Sequence, residues 1–253
     1  MTSSIIGSSN KAVKKVLIVL FWLALWQLLY IIIRQDLYLP SPVSVFVRLH
    51  ELIMQAAFWQ SVGYSFCRVL AGLALSIVVG VTTGILASLN RHVYDLMNPM
   101  VTAIKATPVM SFIILTLVWF SSSQVPIFIC FLMCFPIIWT NVVEGVRNVD
   151  AKLLEMAKVF KASFSLVIRR IYLPSILPYF IAACLTSFGL GWKVSVAAEV
   201  LSHPAYAIGS NLYSAKAYLD STGLFAWTFV VIVLSIIFES IFALFTSKAM
   251  RAK

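Results

Sequence analysis

VLIVLFWLALWQLLYIII, residues 16–33, decides the fold class, since Gln27 is its only strongly polar side chain and it carries no charge. A run of that length reads as a helix crossing a bilayer, because in hydrocarbon a backbone must satisfy its own hydrogen bonds. Lys11, Lys14 and Lys15 precede the run, and Arg34 and Asp36 follow it. The basic start resembles a secretory leader, but no small-residue cleavage site follows. The run therefore counts as a first span whose N-terminal side is cytoplasmic.

The rest of the chain has the same character. Over 253 residues it is 61% hydrophobic and 11% charged, with a mean hydropathy of +0.98, where a soluble domain carries about 25% charged residues. Short alternating segments of the kind that build a membrane barrel are absent. The net charge of +10 flanks apolar runs instead of forming one patch, which points to membrane topology and away from nucleic acid. Cys67, Cys130, Cys134 and Cys184 lie in or beside apolar runs without metal-ligand spacing and read as small apolar side chains. His50, His92 and His203 share no ligand spacing, so no metal site is expected.

Five further spans follow, at about 69–89, 98–120, 125–143, 175–198 and 225–246. Leu39-Pro40-Ser41-Pro42 leads into an expected interfacial helix over 43–59 on the outer face. The second span carries Gly72, Ser76, Gly80, Gly84 and Ser88, each four residues after the last. That small-residue face is a packing seam, since helices in lipid associate by close approach. The third is interrupted by Pro99, Lys105 and Pro108, so a short helix, a break near Thr107 and then a span are expected. The fourth contains Pro136, and Glu199 to Leu224 forms an outer segment. With this assignment thirteen of the 19 Lys and Arg residues lie inside, four (Arg34, Arg48, Arg68, Lys216) lie outside, and Lys105 and Lys193 fall within spans. The excess places both termini in the cytoplasm. The fold class is thus an all-α membrane protein of six transmembrane helices, a single domain over 1–253.

The segment from Asp150 to Pro178, DAKLLEMAKVFKASFSLVIRRIYLPSILP, is too polar to span. Leu153, Leu154, Met156, Ala157, Phe160 and Phe164 recur at intervals of three and four, which predicts an amphipathic cytoplasmic helix over about 150–164 whose apolar face needs a partner.

Glu155-Met156-Ala157, then Lys161, then Ile171-Tyr172-Leu173-Pro174 resemble the EAA loop of ABC importer permeases: E-A-A, three residues, G, nine residues, I-x-L-P. Met156 replaces the first Ala. Lys161 stands where the Gly belongs, and a lysine cannot take a left-handed backbone as cheaply, so this turn is expected to differ. Over roughly 39–245, Leu39 to Pro42, Arg68 with Gly72, Gly80 and Gly84, Pro99, Pro108, Pro136 with Asn141, and Trp192 through Ala198-Glu199 are similar to the nitrate, sulfonate and taurine branch.

The resemblance implies a type I importer permease with Glu155, Met156, Ala157, Phe160, Lys161, Leu173 and Pro174 coupling to an ATPase. Having no G-x-x-x-x-G-K-[ST], the chain cannot hold ATP by a P-loop. ATP and Mg then belong to a separate ATPase, present twice, and this chain is a non-catalytic subunit binding no cofactor. The resemblance further implies a second permease copy, as a homodimer, and a periplasmic or lipid-anchored solute-binding protein, all at the bacterial inner membrane. The solute would be a sulfonate, taurine, nitrate or a vitamin precursor.

Lys105, Trp192, Lys193 and Glu199 are candidates for lining the pathway, because an ionisable side chain in a membrane faces protein or water. Against that stand local pairing of Lys193, an interfacial place for Glu199 and simple packing of Trp192. Glu239 is expected to pair or snorkel near the inner interface. A gradient-driven secondary transporter would show internal repeats with broken helices, and no convincing repeat is found. A non-transporting membrane scaffold is the other alternative.

Overall fold

The computed structural model describes the backbone of residues 3–251 and the side chains of 13, 14, 16–242 and 244. The side chains of Lys11, Lys15, Lys248, Arg251 and Lys253, which contribute to the orientation argument, lie outside the described residues. Every regular element among the described residues is helical. In chain order they are α1 (Ser3–Ile33), α2 (Pro42–Ile53), α3 (Ala56–Leu89), α4 (Arg91–Ala106), α5 (Val109–Thr116), α6 (Val125–Arg147), α7 (Ala151–Val159), α8 (Phe164–Val167), a π-helical turn (Ile168–Tyr172), α9 (Leu173–Ser202), α10 (Ile208–Ala217) and α11 (Ser221–Arg251).

Five stretches are long and apolar enough to cross a membrane: 16–33, 56–89, 125–147, 164–202 and 221–242. The pair α4 and α5 makes a sixth if its limbs, bent by 100°, count as one span. This pair covers the third span, expected over 98–120 with a break near Thr107. Pro108 cannot continue the hydrogen-bond ladder and forces Thr107 into extended backbone (φ −83°, ψ 132°). The eight residues of α5 then reach about 12 Å, well short of the hydrocarbon core of about 30 Å. Arg91 to Leu96 forms the start of α4, capped by Asn90, whose side chain accepts from the His92 amide at 2.9 Å.

The chain divides into two compact units, 1–59 with 211–230, and 60–210 with 231–253. In the first, the interfacial helix expected over 43–59 ends at Ile53, and α3 begins at Ala56. Ser41 caps α2 by accepting from the Ser44 amide at 3.0 Å, and Pro42 occupies the first helical turn, where a missing N–H costs nothing. Trp26 donates to the Pro40 carbonyl at 3.1 Å and stacks on Phe225; Phe58 stacks on Trp227.

The second unit is built on α6, the most buried of the spans. The small-residue face of α3 lies on it. A β-carbon added to Gly72 would come within 2.6 Å of both the Cys130 Cβ and the Ile127 carbonyl. At Gly80 and Gly84 it would sit 2.9 Å from Ile138 and 3.0 Å from Val142. Ser76 donates across the seam to the Phe131 carbonyl at 3.0 Å. On the other side Gly191 of α9 meets the thiols of Cys130 and Cys134, and Cys134 donates to the Ser187 carbonyl at 3.1 Å. Close backbone approach, which dispersion rewards in lipid where the hydrophobic effect is absent, thus joins three helices at one layer.

Candidate functional site

Between α6 and α9 the chain leaves the apolar layer and makes a short capped helix. Asp150 initiates α7, its Oδ1 accepting from the Lys152 amide at 2.9 Å. Two hydrogen bonds end it, Lys161 N–H to the Lys158 carbonyl at 3.0 Å and Ala162 N–H to the Ala157 carbonyl at 2.9 Å. That is the Schellman pattern, which requires a left-handed residue at the position of Lys161. Lys161 supplies it, at φ 52°. The turn expected to differ from the glycine version therefore has the backbone glycine would give, with a side chain held in a costly region. Lys161→Gly is expected to stabilise this turn by about 1 kcal/mol, read as slower hydrogen exchange at the Lys161 and Ala162 amides; unchanged or faster exchange contradicts it.

This stop corrects the helix expected over 150–164. Phe164 opens α8 instead of extending the face of α7. The stop also sorts the apolar side chains into two sets. Ala157 is buried, and with Leu154, Ala162, Phe164, Val167 and Tyr172 it lines a groove of about 590 Å³. Met156, Val159 and Phe160 face outward; Val159 and Phe160 are each 78% exposed and Phe164 79%. Glu155 is exposed and makes no ion pair among the described residues. Lys152, Lys158 and Lys161 are also exposed. The result is an apolar protrusion in a basic setting, and burying one such phenylalanine is worth about 1.5–3 kcal/mol.

The segment returns to the apolar layer through the π-helical turn. Ile171 is buried, Leu173 exposed, and Ser175 donates to the Ile171 carbonyl at 2.7 Å. Pro174 has no N–H and its ring displaces the carbonyl four residues back. An extra residue in the preceding turn accommodates it without ending the helix.

The four residues singled out for the pathway are divided by the structure. Trp192 has no exposed surface; its Nε1 donates to the Val231 carbonyl at 3.1 Å and its ring meets Phe238 edge-on. Glu199 also has none, so in this chain it lines no accessible surface. Lys105 and Lys193 are both exposed. The Nζ of Lys105 donates to Thr140 Oγ1 at 2.7 Å, while Lys193 has no hydrogen bond or ion pair among the described residues. Glu239 accepts from Ser235 at 3.3 Å and lies over Gly189.

Glu199 belongs to a cluster that sequence reasoning missed. One carboxylate oxygen accepts from Arg68 Nη1 at 3.0 Å; the other accepts from Ser65 Oγ at 2.8 Å and the Gly209 amide at 3.1 Å. Ser65 Oγ in turn accepts from the Ile208 amide, and Arg68 donates to the carbonyls of Ala205 and Tyr206. A β-carbon at Gly209 would fall 2.5 Å from the Glu199 Cβ. The charges together clasp residues 205–209 onto the end of α9. Arg68, counted as an outside charge, is an interior residue of α3 that is only 8% exposed. The available signal was an arginine inside an apolar run, which demands a partner; which acid answers it, 131 residues away, local pattern cannot say.

Comparison with known proteins yields a consistent set of similarities. The model of the family described as binding-protein-dependent transport system inner membrane component matches residues 72–251. Among curated proteins, the bicarbonate transport system permease protein CmpB of Synechococcus elongatus is 28% identical over 217 residues, covering 76% of this chain and 78% of that protein. The putative aliphatic sulfonates transport permease protein SsuC of Bacillus subtilis is 26% identical, covering 84% and 77%. Among solved structures, the inward-facing MetNI methionine ABC transporter includes a chain that superposes with a TM-score of 0.64 at 16% identity, covering 79% of this chain and 97% of that one.

Proposed function

Since the chain belongs to the family of binding-protein-dependent transport system inner membrane components, and is thus a permease subunit, we propose that residues 150–174 dock a separate ATP-hydrolysing subunit and pass its motion to the spans. The observation that carries this reading is the apolar protrusion of Met156, Val159 and Phe160, left exposed on a capped helix in an otherwise polar segment. An exposed apolar patch rimmed by charge marks an interaction site. Glu155, which makes no ion pair among the described residues, is then free to meet a cation of the partner.

In this reading ATP and Mg are held by the partner, two copies of which drive a homodimer of permeases between inward-open and outward-open states. A solute-binding protein delivers cargo at the opposite face of the bacterial inner membrane, and both termini share the ATP side with α7. Bicarbonate and aliphatic sulfonates, the cargoes named for the relatives, are small anions, and we extend that class to this chain.

The test is sidedness with protection. Met156→Cys, in a chain whose exposed Cys67 is replaced by serine, is expected to react with a membrane-impermeant maleimide in inside-out vesicles stripped of peripheral proteins, and to be shielded once the ATPase subunit is restored. Labelling confined to right-side-out vesicles would put α7 on the wrong side of the membrane.

A further inference from the structure

Where α3 ends and α4 begins, these two helices and the last turn of α6 enclose a recess of about 440 Å³, lined by Ser88, Leu89, Arg91, Tyr94, Asp95 and Arg147. All of them belong to the second unit. Arg147 is the last residue of α6, and Asp150 caps α7 three residues later. The recess therefore opens at the same end of the spans as α7.

Its wall is built by stacking. Trp139, Val143 and Arg147 are four residues apart and so lie in one line on α6. Tyr94 of α4 meets two of them: its ring stacks on Trp139 at 5.7 Å, and the guanidinium carbon of Arg147 lies 3.9 Å from its centroid. Ala87, Trp139 and Val143 share one buried cluster, and Tyr94 packs against it. The arginine is thus positioned by a rigid surface.

Stacking fixes the plane of the guanidinium and leaves its edge unused. Arg147 makes no hydrogen bond and no ion pair among the described residues. Its five N–H donors form a planar fork that matches a carboxylate or a phosphate. No carboxylate of the chain takes that place. Asp95 is engaged by Arg91 at 3.8 Å, Asp150 accepts from the Lys152 amide, and the exposed Glu144 is in ion-pair contact with neither arginine. Net charge selects no ligand, since Arg91 and Arg147 are balanced by Asp95 and Glu144. Donor geometry does.

The rim decides which ligand. Leu89 lines the recess and is 71% exposed, and Leu86, one turn back along the span, is 56% exposed. An open arginine fork beside exposed leucines at the end of a span matches a molecule that is phosphate at one end and hydrocarbon at the other. Inorganic phosphate, or an acidic side chain of a soluble partner, would leave the leucines uncovered.

We propose that this recess holds the phosphodiester of a membrane phospholipid, with Arg147 as its principal donor, Arg91 as an outer one, and an acyl chain along Leu89 and Leu86. Basic recesses between spans are suited to such headgroups. Because the lining is balanced in charge, the phosphodiester is the recognised group; a headgroup ammonium is met by Asp95 and a headgroup hydroxyl donates to it.

Native mass spectrometry of the full chain, released from mild detergent and titrated with lipid, reads this site. Phosphatidylglycerol and phosphatidylethanolamine are each expected to bind as a first, tightest lipid. Diacylglycerol with the same acyl chains, and inorganic phosphate at the same concentration, are expected to be lost. Arg147→Gln should weaken the first phospholipid at least about tenfold, the low end for losing a charge-assisted hydrogen bond. Arg170→Gln, the same charge change at an exposed arginine that lines no part of the recess, should change it by less than about twofold. Arg147→Lys keeps the charge without the fork and serves if glutamine disturbs the fold; it should weaken binding several-fold. Parent-like affinity in the folded Arg147 variants overturns the proposal, as does diacylglycerol or inorganic phosphate held as tightly as phospholipid. Release of the lipid when the ATPase subunit is added would make that subunit the occupant and overturn it too. None of these outcomes bears on ATP-driven transport, which is read separately from the nucleotide dependence of uptake.

Discussion

Arg68→Leu is expected to destabilise the second unit by about 3–5 kcal/mol, the cost of removing one partner of a buried ion pair. The size follows from what is left behind. The Glu199 carboxylate has no exposed surface and would keep only Ser65 Oγ and the Gly209 amide as donors. The carbonyls of Ala205 and Tyr206 would lose their donor in the same step. Leucine keeps apolar bulk, so the loss reads as electrostatics and hydrogen bonding more than as a cavity. The R68L/E199L double variant is expected to recover much of the loss, because two well-packed apolar residues remove the uncompensated charge. Denaturant unfolding in detergent micelles, with both single variants and the double, decides this. Single variants as stable as the parent would show that the clasp contributes nothing.

The second large effect is expected at Phe160. Its side chain is 78% exposed, so Phe160→Asp should change the stability of the isolated chain by no more than about 0.5 kcal/mol. As a central apolar anchor for the ATPase subunit, it should carry at least about 2 kcal/mol of binding, roughly a 30-fold loss of affinity. Glu155→Lys is expected to leave membrane insertion intact and abolish transport, because it places a fifth cation among Lys152, Lys158, Lys161 and Arg169 where, in the proposed docking, the partner would meet a carboxylate. Affinity is read by titrating labelled ATPase subunit onto the permease in nanodiscs. Full affinity and full uptake in both variants would remove α7 from the coupling role.

The two effects differ in how far they were legible. Glu155 and its neighbours announce themselves by spacing, since the motif is local and its polar setting between apolar runs is visible in one dimension. The seam of α3 is legible for a similar reason: four-residue spacing of Gly72, Ser76, Gly80 and Gly84 is itself the geometry of one helix face. Its partner, α6, is not, because the complementary face carries Cys130, Ile138 and Val142, which no pattern distinguishes from ordinary apolar residues. The stop of α7 at Lys161 escaped because lysine has no preference for the left-handed region, and only the two Schellman hydrogen bonds reveal it. The clasp escaped because Arg68 and Glu199 each look interfacial alone; their meaning depends on a contact across two helices. Pro108 marks the interruption of the third span near Thr107 in the sequence itself, whereas the 100° angle between its two limbs is visible only in the structure.

The most direct test of the central claim is solute movement in a defined system. Proteoliposomes holding this chain with its ATPase subunit, ATP inside and binding protein loaded with a labelled sulfonate or bicarbonate outside, should accumulate label only while ATP is hydrolysed. The Phe160→Asp permease should lose both the accumulation and the ATPase stimulation by binding protein. Accumulation that persists without ATP, or that follows an imposed ion gradient instead, would contradict the account.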